Sequence, residues 1–315
     1  MLSRTADHLF WMARYMERAE NTARILDVTY RLSLLPQNGE ETESMWAGML
    51  KIMELQDAFL IKHPAFTTEA VLEFMILDRD NPGSILRCLR ATRENAHAVR
   101  GTLTSELWET SNATWLKIRG FTMTKIMENG PGDFFEWVKY RSHLSRGVTI
   151  GTMLQDEALR FIRLGTFLER ADNTARILEV KYLNLLPGSH GDAHMADYYQ
   201  WSALLQSVSA FEVYRKVYRD QMTPLRVAEL LILRADMPRS LARSMKEVYS
   251  NLTWVSNARS AETERMAGEL EAHLRLGDIE SIFEGGLRSY LEDFRERIFD
   301  LGCRVSDDFL IPISA

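Results

Sequence analysis

Apolar residues recur along most of this chain at the three-and-four spacing of amphipathic helices. No run of strict alternation is long enough to predict a strand. The first helical stretch, residues 2–34, carries Met12, Ala19, Ala23, Leu26 and Tyr30 on one broad apolar face and stops at Pro36. Further helices are predicted near residues 40–61 and 68–77. Asn81-Pro82 reads as a cap followed by proline in the first turn of a helix to about residue 101. Thr104 caps another through Trp108 and Trp115 towards residue 127. Asn129-Gly130-Pro131-Gly132 is the clearest break, with Asp133 as the next cap. A second long helix is predicted over residues 152–186. A polar loop at residues 190–194 follows, then helices near 195–219, 224–234, 238–257, 260–276 and 278–302. The fold class predicted is all-α.

The pattern repeats in residue identity as well as in period. Residues 17–28 read ERAENTARILDV and residues 169–180 read ERADNTARILEV, ten of twelve positions being identical and the other two exchanging Glu and Asp. Residues 70–84, AVLEFMILDRDNPGS, align with residues 226–240, RVAELLILRADMPRS, and Trp46 aligns with Trp201. The offsets of 152 to 156 residues are too long for a solenoid period. They predict a tandem duplication, residues 1–150 and 151–315, packed as one compact helical bundle.

The repeated segment also concentrates the candidate chemistry. At about 100° per residue, Glu17, Asn21 and Arg24 share one narrow stripe, and Glu169, Asn173 and Arg176 share its copy. Phe10 and Val28 lie on the first stripe, and Ile162 and Val180 on the second. A helix apolar on both sides is buried within a larger bundle, and its polar groups must then be paired, because an unpaired buried charge costs several kcal/mol. Three uses of the stripes follow. They form a buried ion-pair network between the halves. Alternatively they form a substrate site, with Glu17 or Glu169 as general acid or base at a pKa raised by burial. Asn21 and Asn173 would then orient the substrate, and Arg24 and Arg176 would grip its carboxylate. In the third case they are a solvated face, with Glu20–Arg24 and Asp172–Arg176 as i,i+4 pairs.

Composition narrows the function classes. Forty-four acidic against 38 basic residues leave a net charge of -6, the wrong sign for a nucleic-acid surface. Seventeen glycines and eight prolines in 315 residues leave few turns and favour long helices. Cys88 and Cys303 read as separate reduced thiols. The start has no signal-peptide pattern and no apolar run reaches the ~18 residues of a membrane span, so a cytoplasmic protein without a membrane partner is expected. Glu94-x-x-His97 matches half of a dimetal bundle motif, but Ser250-x-x-Thr253 occupies the aligned positions, so no metal is expected. His190, Asp192, His194 and Asp197 read as a solvated loop. Gly285-Gly286 lies within a helical pattern and reads as a close-packing point. No glycine-rich phosphate cradle is present, and no cofactor is expected.

The segments LSRTADHLFWMARYMERAENTARILDV and LRFIRLGTFLERADNTARILEV, with Ser105–Glu109 and Gly286–Leu291, resemble the bacterial alpha-E domain family over essentially the whole chain. The resemblance implies an all-helical protein whose family is largely of unknown function. It also implies partners among ATP-grasp ligase-like and transglutaminase-like proteins, and so a place in a peptide- or amide-bond-forming system. With no complete catalytic constellation in the sequence, the reading favoured is an accessory or adaptor protein that binds such a ligase or its peptide product. An enzyme built on the Glu-Asn-Arg stripes and a purely structural protein are the alternatives.

Overall fold

The computed structural model describes residues 1–35, 39–183 and 193–310. Among these, sixteen helices and no strand are present. The first eight are α1 (Ser3–Ser33), α2 (Gly39–Ile52), α3 (Gln56–Leu60), α4 (Thr68–Ile76), α5 (Ile85–Ala98), α6 (Ser105–Ile118), α7 (Met123–Asn129) and α8 (Pro131–Thr152). The next eight are α9 (Glu157–Leu183), α10 (Ala193–Ser207), α11 (Phe211–Tyr218), α12 (Pro224–Ile232), α13 (Leu241–Trp254), α14 (Ala261–Leu276), α15 (Ile279–Glu284) and α16 (Leu287–Phe309). Helices α4, α5 and α6 open at Thr68, Ile85 and Ser105, and α12, α13 and α14 open at Pro224, Leu241 and Ala261, each 156 residues later. Among the described residues no helix is long and apolar enough to cross a membrane.

The two longest helices, α1 and α9, cross at the centre and form the most extensive helix pair. Helices α5 and α8 pack on α1, and α13 and α16 pack on α9 in the same way. Surrounded on several sides, α1 buries both its apolar face and the opposite stripe, from Leu9, Phe10 and Leu26 to Glu17, Asn21 and Arg24. The crossing is close because Gly165 has no side chain. A Cβ there would sit 2.2 Å from the Phe10 carbonyl oxygen, backbone against backbone.

Several predicted helices are divided. The helix expected over residues 40–61 breaks at Glu54, and that over 195–219 breaks at Ser209; both residues adopt left-handed backbone, with φ 59° and 54°. The physical reason is the same in both. Arg176 donates to the Ile52 carbonyl at 2.6 Å, and Arg24 donates to the Ser207 carbonyl at 2.6 Å. Each guanidinium satisfies a helix-end carbonyl that otherwise lacks a partner. Gly286, read as a helical packing point, instead takes φ 95° and separates α15 from α16, with open space where its Cβ would lie. The residue range 104–127 splits into α6 and α7, with Thr122 capping α7. Asn81-Pro82 does not open α5. Ser84 caps that helix, while Asn81 accepts from the Gly83 amide at 2.9 Å and donates to the Phe74 carbonyl at 3.0 Å. Asp133 lies in the first turn of α8, whose N-cap is Gly130 with φ 87°. The predicted helix over 152–186 begins only at Glu157, after α8 has ended at Thr152. His190 and Asp192 fall outside the described residues, as do the side chains of His194 and Asp197.

Candidate functional site: the crossed Glu–Arg pairs

Glutamates of α1 and α9 bind arginines of the other helix, in reciprocal fashion. Glu17 accepts two bonds from Arg170, from Nε and Nη2, both at 2.9 Å. Glu169 accepts two from Arg18, from Nε at 2.6 Å and from Nη2 at 2.9 Å. Two-pronged guanidinium–carboxylate contacts of this kind add directional specificity to charge attraction. Arg18 and Arg170 directly follow Glu17 and Glu169 in sequence. One residue turns a helix by about 100°, so glutamate and arginine leave the helix on different bearings and each meets its partner across the crossing.

The two ends of this arrangement carry different additional partners. At Glu17, Arg146 of α8 donates at 2.8 Å and Arg239 at 3.2 Å. Arg146 also reaches Glu20 at 2.6 Å, and Arg239 binds both Glu20 and Asn21, the latter at 3.0 Å. Arg24 pairs with Glu20 at 2.8 Å, not with Glu17. At Glu169 the additional partner is Arg14, at 2.8 Å. There Asp172 takes the place of Glu20 and binds Arg176 at 2.8 Å. Lower down, Lys139 binds Asp27 at 3.0 Å, and at the matching place Arg295 binds Glu179 at 3.0 Å.

The sequence-selected residues are therefore all central, and they are divided among several contacts. Glu17, Asn21 and Arg24 are almost wholly enclosed, and Glu169 and Asn173 nearly so. Arg24 is committed to Glu20, the Ser207 carbonyl and Ser209, and Arg176 to Asp172, the Ile52 carbonyl and Glu54. The amide nitrogens of Asn21 and Asn173 are both buried with no partner among the described residues. The expected upward pKa shift of the glutamates is reversed. Burial pushes Glu17 up, but Arg170, Arg239 and Arg146 outweigh it and hold the carboxyl below the ordinary range. Glu20 is held well below its ordinary value, burial being overcome by Arg239, His143, Arg146 and Arg24. At Glu169 burial is again outweighed, by Arg18 and Arg14, and the carboxyl is brought down to about 2. Arg239 shifts the other way for an arginine: its burial exceeds the pull of Glu20 and Glu17 and lowers it to about 10.

Sequence reasoning gave no site role to Arg14, Arg18, Arg146, Arg170 or Arg239. Arg18 and Arg170 were visible, since both belong to the repeated dodecamer. Arg239 had a weaker signal, standing where the aligned segment has Gly83. Nothing in the sequence marks Arg146 or Arg14, whose aligned counterparts are Gly302 and Thr166. Glu94 of the half dimetal motif lies at the surface in an ion pair with Arg90. Among the described residues no group of three or more His, Cys, Asp or Glu is placed to hold a metal.

Two cavities flank the crossing. One, of about 170 Å³, lies among α1, α5, α6, α8 and α9 and is reached by Glu17, Arg146 and Arg170. The other, of about 820 Å³, is a polar cleft among α1, α9 and α16, reached by Arg14, Arg18 and Arg176. Glu17 lines the first cavity, and Glu169 lines neither.

Fold and site define an all-helical domain pinned at its centre by reciprocal Glu–Arg pairs between two long helices. The chain belongs to the Alpha-E family, described as a predicted alpha-helical domain with a conserved ER motif, which it matches over residues 1–310. Uncharacterized proteins of Mycobacterium bovis and of two Mycobacterium tuberculosis strains are similar to it, at 26% identity over 318 residues. The match covers 92% of this chain and 34% of each relative, so the chain spans about a third of their length. No solved structure matches the chain.

Proposed function

We propose that this protein is a non-catalytic accessory module of an ATP-grasp-type peptide- or amide-bond-forming system, binding the ligase or its peptide product. The observation that carries the reading is the saturation of the repeated motif. Glu17, Glu20 and Glu169 are each held by two or more cationic side chains and kept ionised well into acid. A general acid works best with a pKa near the operating pH, and these carboxyls are displaced away from it. The motif therefore reads as a lock between two halves descended from one unit, residues 1–150 and 151–315. The helices that recur in order 156 residues apart support that duplication. The matched region being one part of longer relatives suits a module that works beside other protein, and the resemblance of the sequence supplies the ligase system as its setting.

The test is co-expression with an ATP-grasp-type ligase of the same organism, followed by affinity capture and size-exclusion chromatography. A complex of fixed stoichiometry that survives Glu169→Gln is expected. Separate elution of the two proteins at micromolar concentration overturns the adaptor role. A turnover of amide-bearing substrate by the isolated chain that vanishes in Glu17→Gln restores the enzymatic reading.

A further inference from the structure

The 170 Å³ cavity beside Glu17 has features that ion pairing alone leaves unexplained. Its walls are mainly apolar, from Met12, Met16, Leu107, Leu159 and Ile162. Two arginines border it with donors to spare. Arg146 spends only Nη1 on protein partners, and among the described residues its Nε and Nη2 have none. Arg163 gives Nη2 to Glu247, while its Nε is buried without a partner. The Ser111 hydroxyl, on the wall contributed by α6, is likewise buried without one. The buried Arg163 Nε and Ser111 hydroxyl each carry a desolvation penalty, and a ligand that supplies acceptors removes it.

Charge points the same way. Arg146, Arg163, Arg170 and Glu17 line this cavity, and the ion-pair network extends behind them to Arg24, Arg239, Arg243, Glu20 and Glu247, so that six guanidiniums share three carboxylates. Across the crossing, four guanidiniums from Arg14, Arg18, Arg176 and Arg295 meet four carboxylates from Glu54, Asp172, Glu169 and Glu179. The surplus of positive charge in these ion pairs thus lies on one side, where Arg146 and Arg163, at 28% and 29% exposed, are open to an anion from the cavity.

We propose that this cavity is a binding site for a small carboxylate with an apolar body, the acid group held by Arg146 and Arg163 and the body seated against Met12, Met16, Leu107 and Ile162. Size fits the assignment. An apolar cavity of roughly 150 Å³ accommodates a benzene ring. The ligand is a free acid or the C-terminal residue of a peptide, which present the same chemistry. The site does not depend on the accessory role proposed above, because it rests on the cavity and its unmatched arginines alone.

Titration followed by ligand-observed NMR with phenylacetate, N-acetyl-alanyl-phenylalanine, the neutral phenylacetamide and acetate tests it. Phenylacetate or the dipeptide is expected to bind at least about tenfold more tightly than phenylacetamide and acetate, as a charge-assisted contact to two arginines implies. Binding of phenylacetate alone identifies a free acid, and tighter binding of the dipeptide identifies a peptide end. Arg163→Met is expected to weaken binding at least about tenfold, while Glu247 keeps Arg243 at 2.6 Å and the fold persists. Ser145→Phe, which fills the cavity without touching an ion pair, is expected to abolish it. The proposal is overturned if neither acid binds at about 10 mM, if the amide binds as well as the acid, or if both variants bind unchanged.

Discussion

Neutralising the two repeated glutamates one at a time separates a lock from a mere coincidence of charges. Glu17→Gln strips the counter-charge from Arg170 and leaves Arg239 to Glu20 alone; their side chains are only 8% and 7% exposed. Those guanidiniums cannot turn to water, and breaking a buried pair in this way costs about 3–5 kcal/mol. Glu169→Gln leaves Arg14 and Arg18, which are 19% and 32% exposed and border the 820 Å³ cleft. Water can solvate them, so the cost falls to about 2–3 kcal/mol. The two residues occupy matching places in the repeat, yet Glu17→Gln is expected to be the more damaging. Urea unfolding followed by far-ultraviolet circular dichroism measures the difference. In thermal unfolding, at about 2 °C per kcal/mol for a chain longer than the usual single domain, Glu17→Gln should lower Tm by roughly 6–10 °C. Equal losses, or a larger loss at Glu169, would refute the argument from arginine burial. Losses below about 1 kcal/mol at both would show that the crossed pairs do not hold the halves together.

Four further outcomes are expected. Glu169 has a folded pKa of about 2 against an ordinary 4.5, so its contribution is complete above pH 4.5 and drains away as pH falls toward 2. Urea titrations across that window should show on the order of 2–3 kcal/mol of acid sensitivity in the parent that Glu169→Gln lacks. Gly165→Ala should cost at least about 3 kcal/mol or prevent folding, since α1 and α9 must separate to admit the methyl group. Gly147→Ala, with open space around its Cβ, should stabilise α8 by up to about 1 kcal/mol in the same thermal assay. In the folded protein a thiol reagent should modify Cys303, which is exposed on the cleft, and spare Cys88, whose thiol burial pushes up to about 12. Two equivalents should react in urea; rapid labelling of Cys88 in the native state contradicts its burial.

Much of the site was legible because helical periodicity is a local property. Phe10 and Val28 on the polar stripe already implied that Glu17, Asn21 and Arg24 are buried. The direction of the glutamate pKa shift was misjudged for a physical reason. Burial raises a carboxyl and nearby guanidiniums lower it, and the balance depends on how many arginines arrive from elsewhere in the chain. Arg146 and Arg239 lie 129 and 222 residues from Glu17, a separation that no local pattern encodes. The divided helices failed similarly. The breaks at Glu54 and Ser209 answer to Arg176 and Arg24, side chains on distant segments.

By itself, then, the sequence determined the helical class, the long α1 and α9 with their repeated dodecamer, and the burial of Glu17 and Glu169, because each depends on spacing within a few turns. The tertiary structure alone decided which arginine meets which glutamate, that the Glu–Arg pairs cross between helices, and that positive charge accumulates on one side of the crossing. Those are properties of how α1 and α9 approach each other at Gly165 and of what α8, α13 and α16 bring to either flank, and such distances between remote segments are set only when the bundle packs.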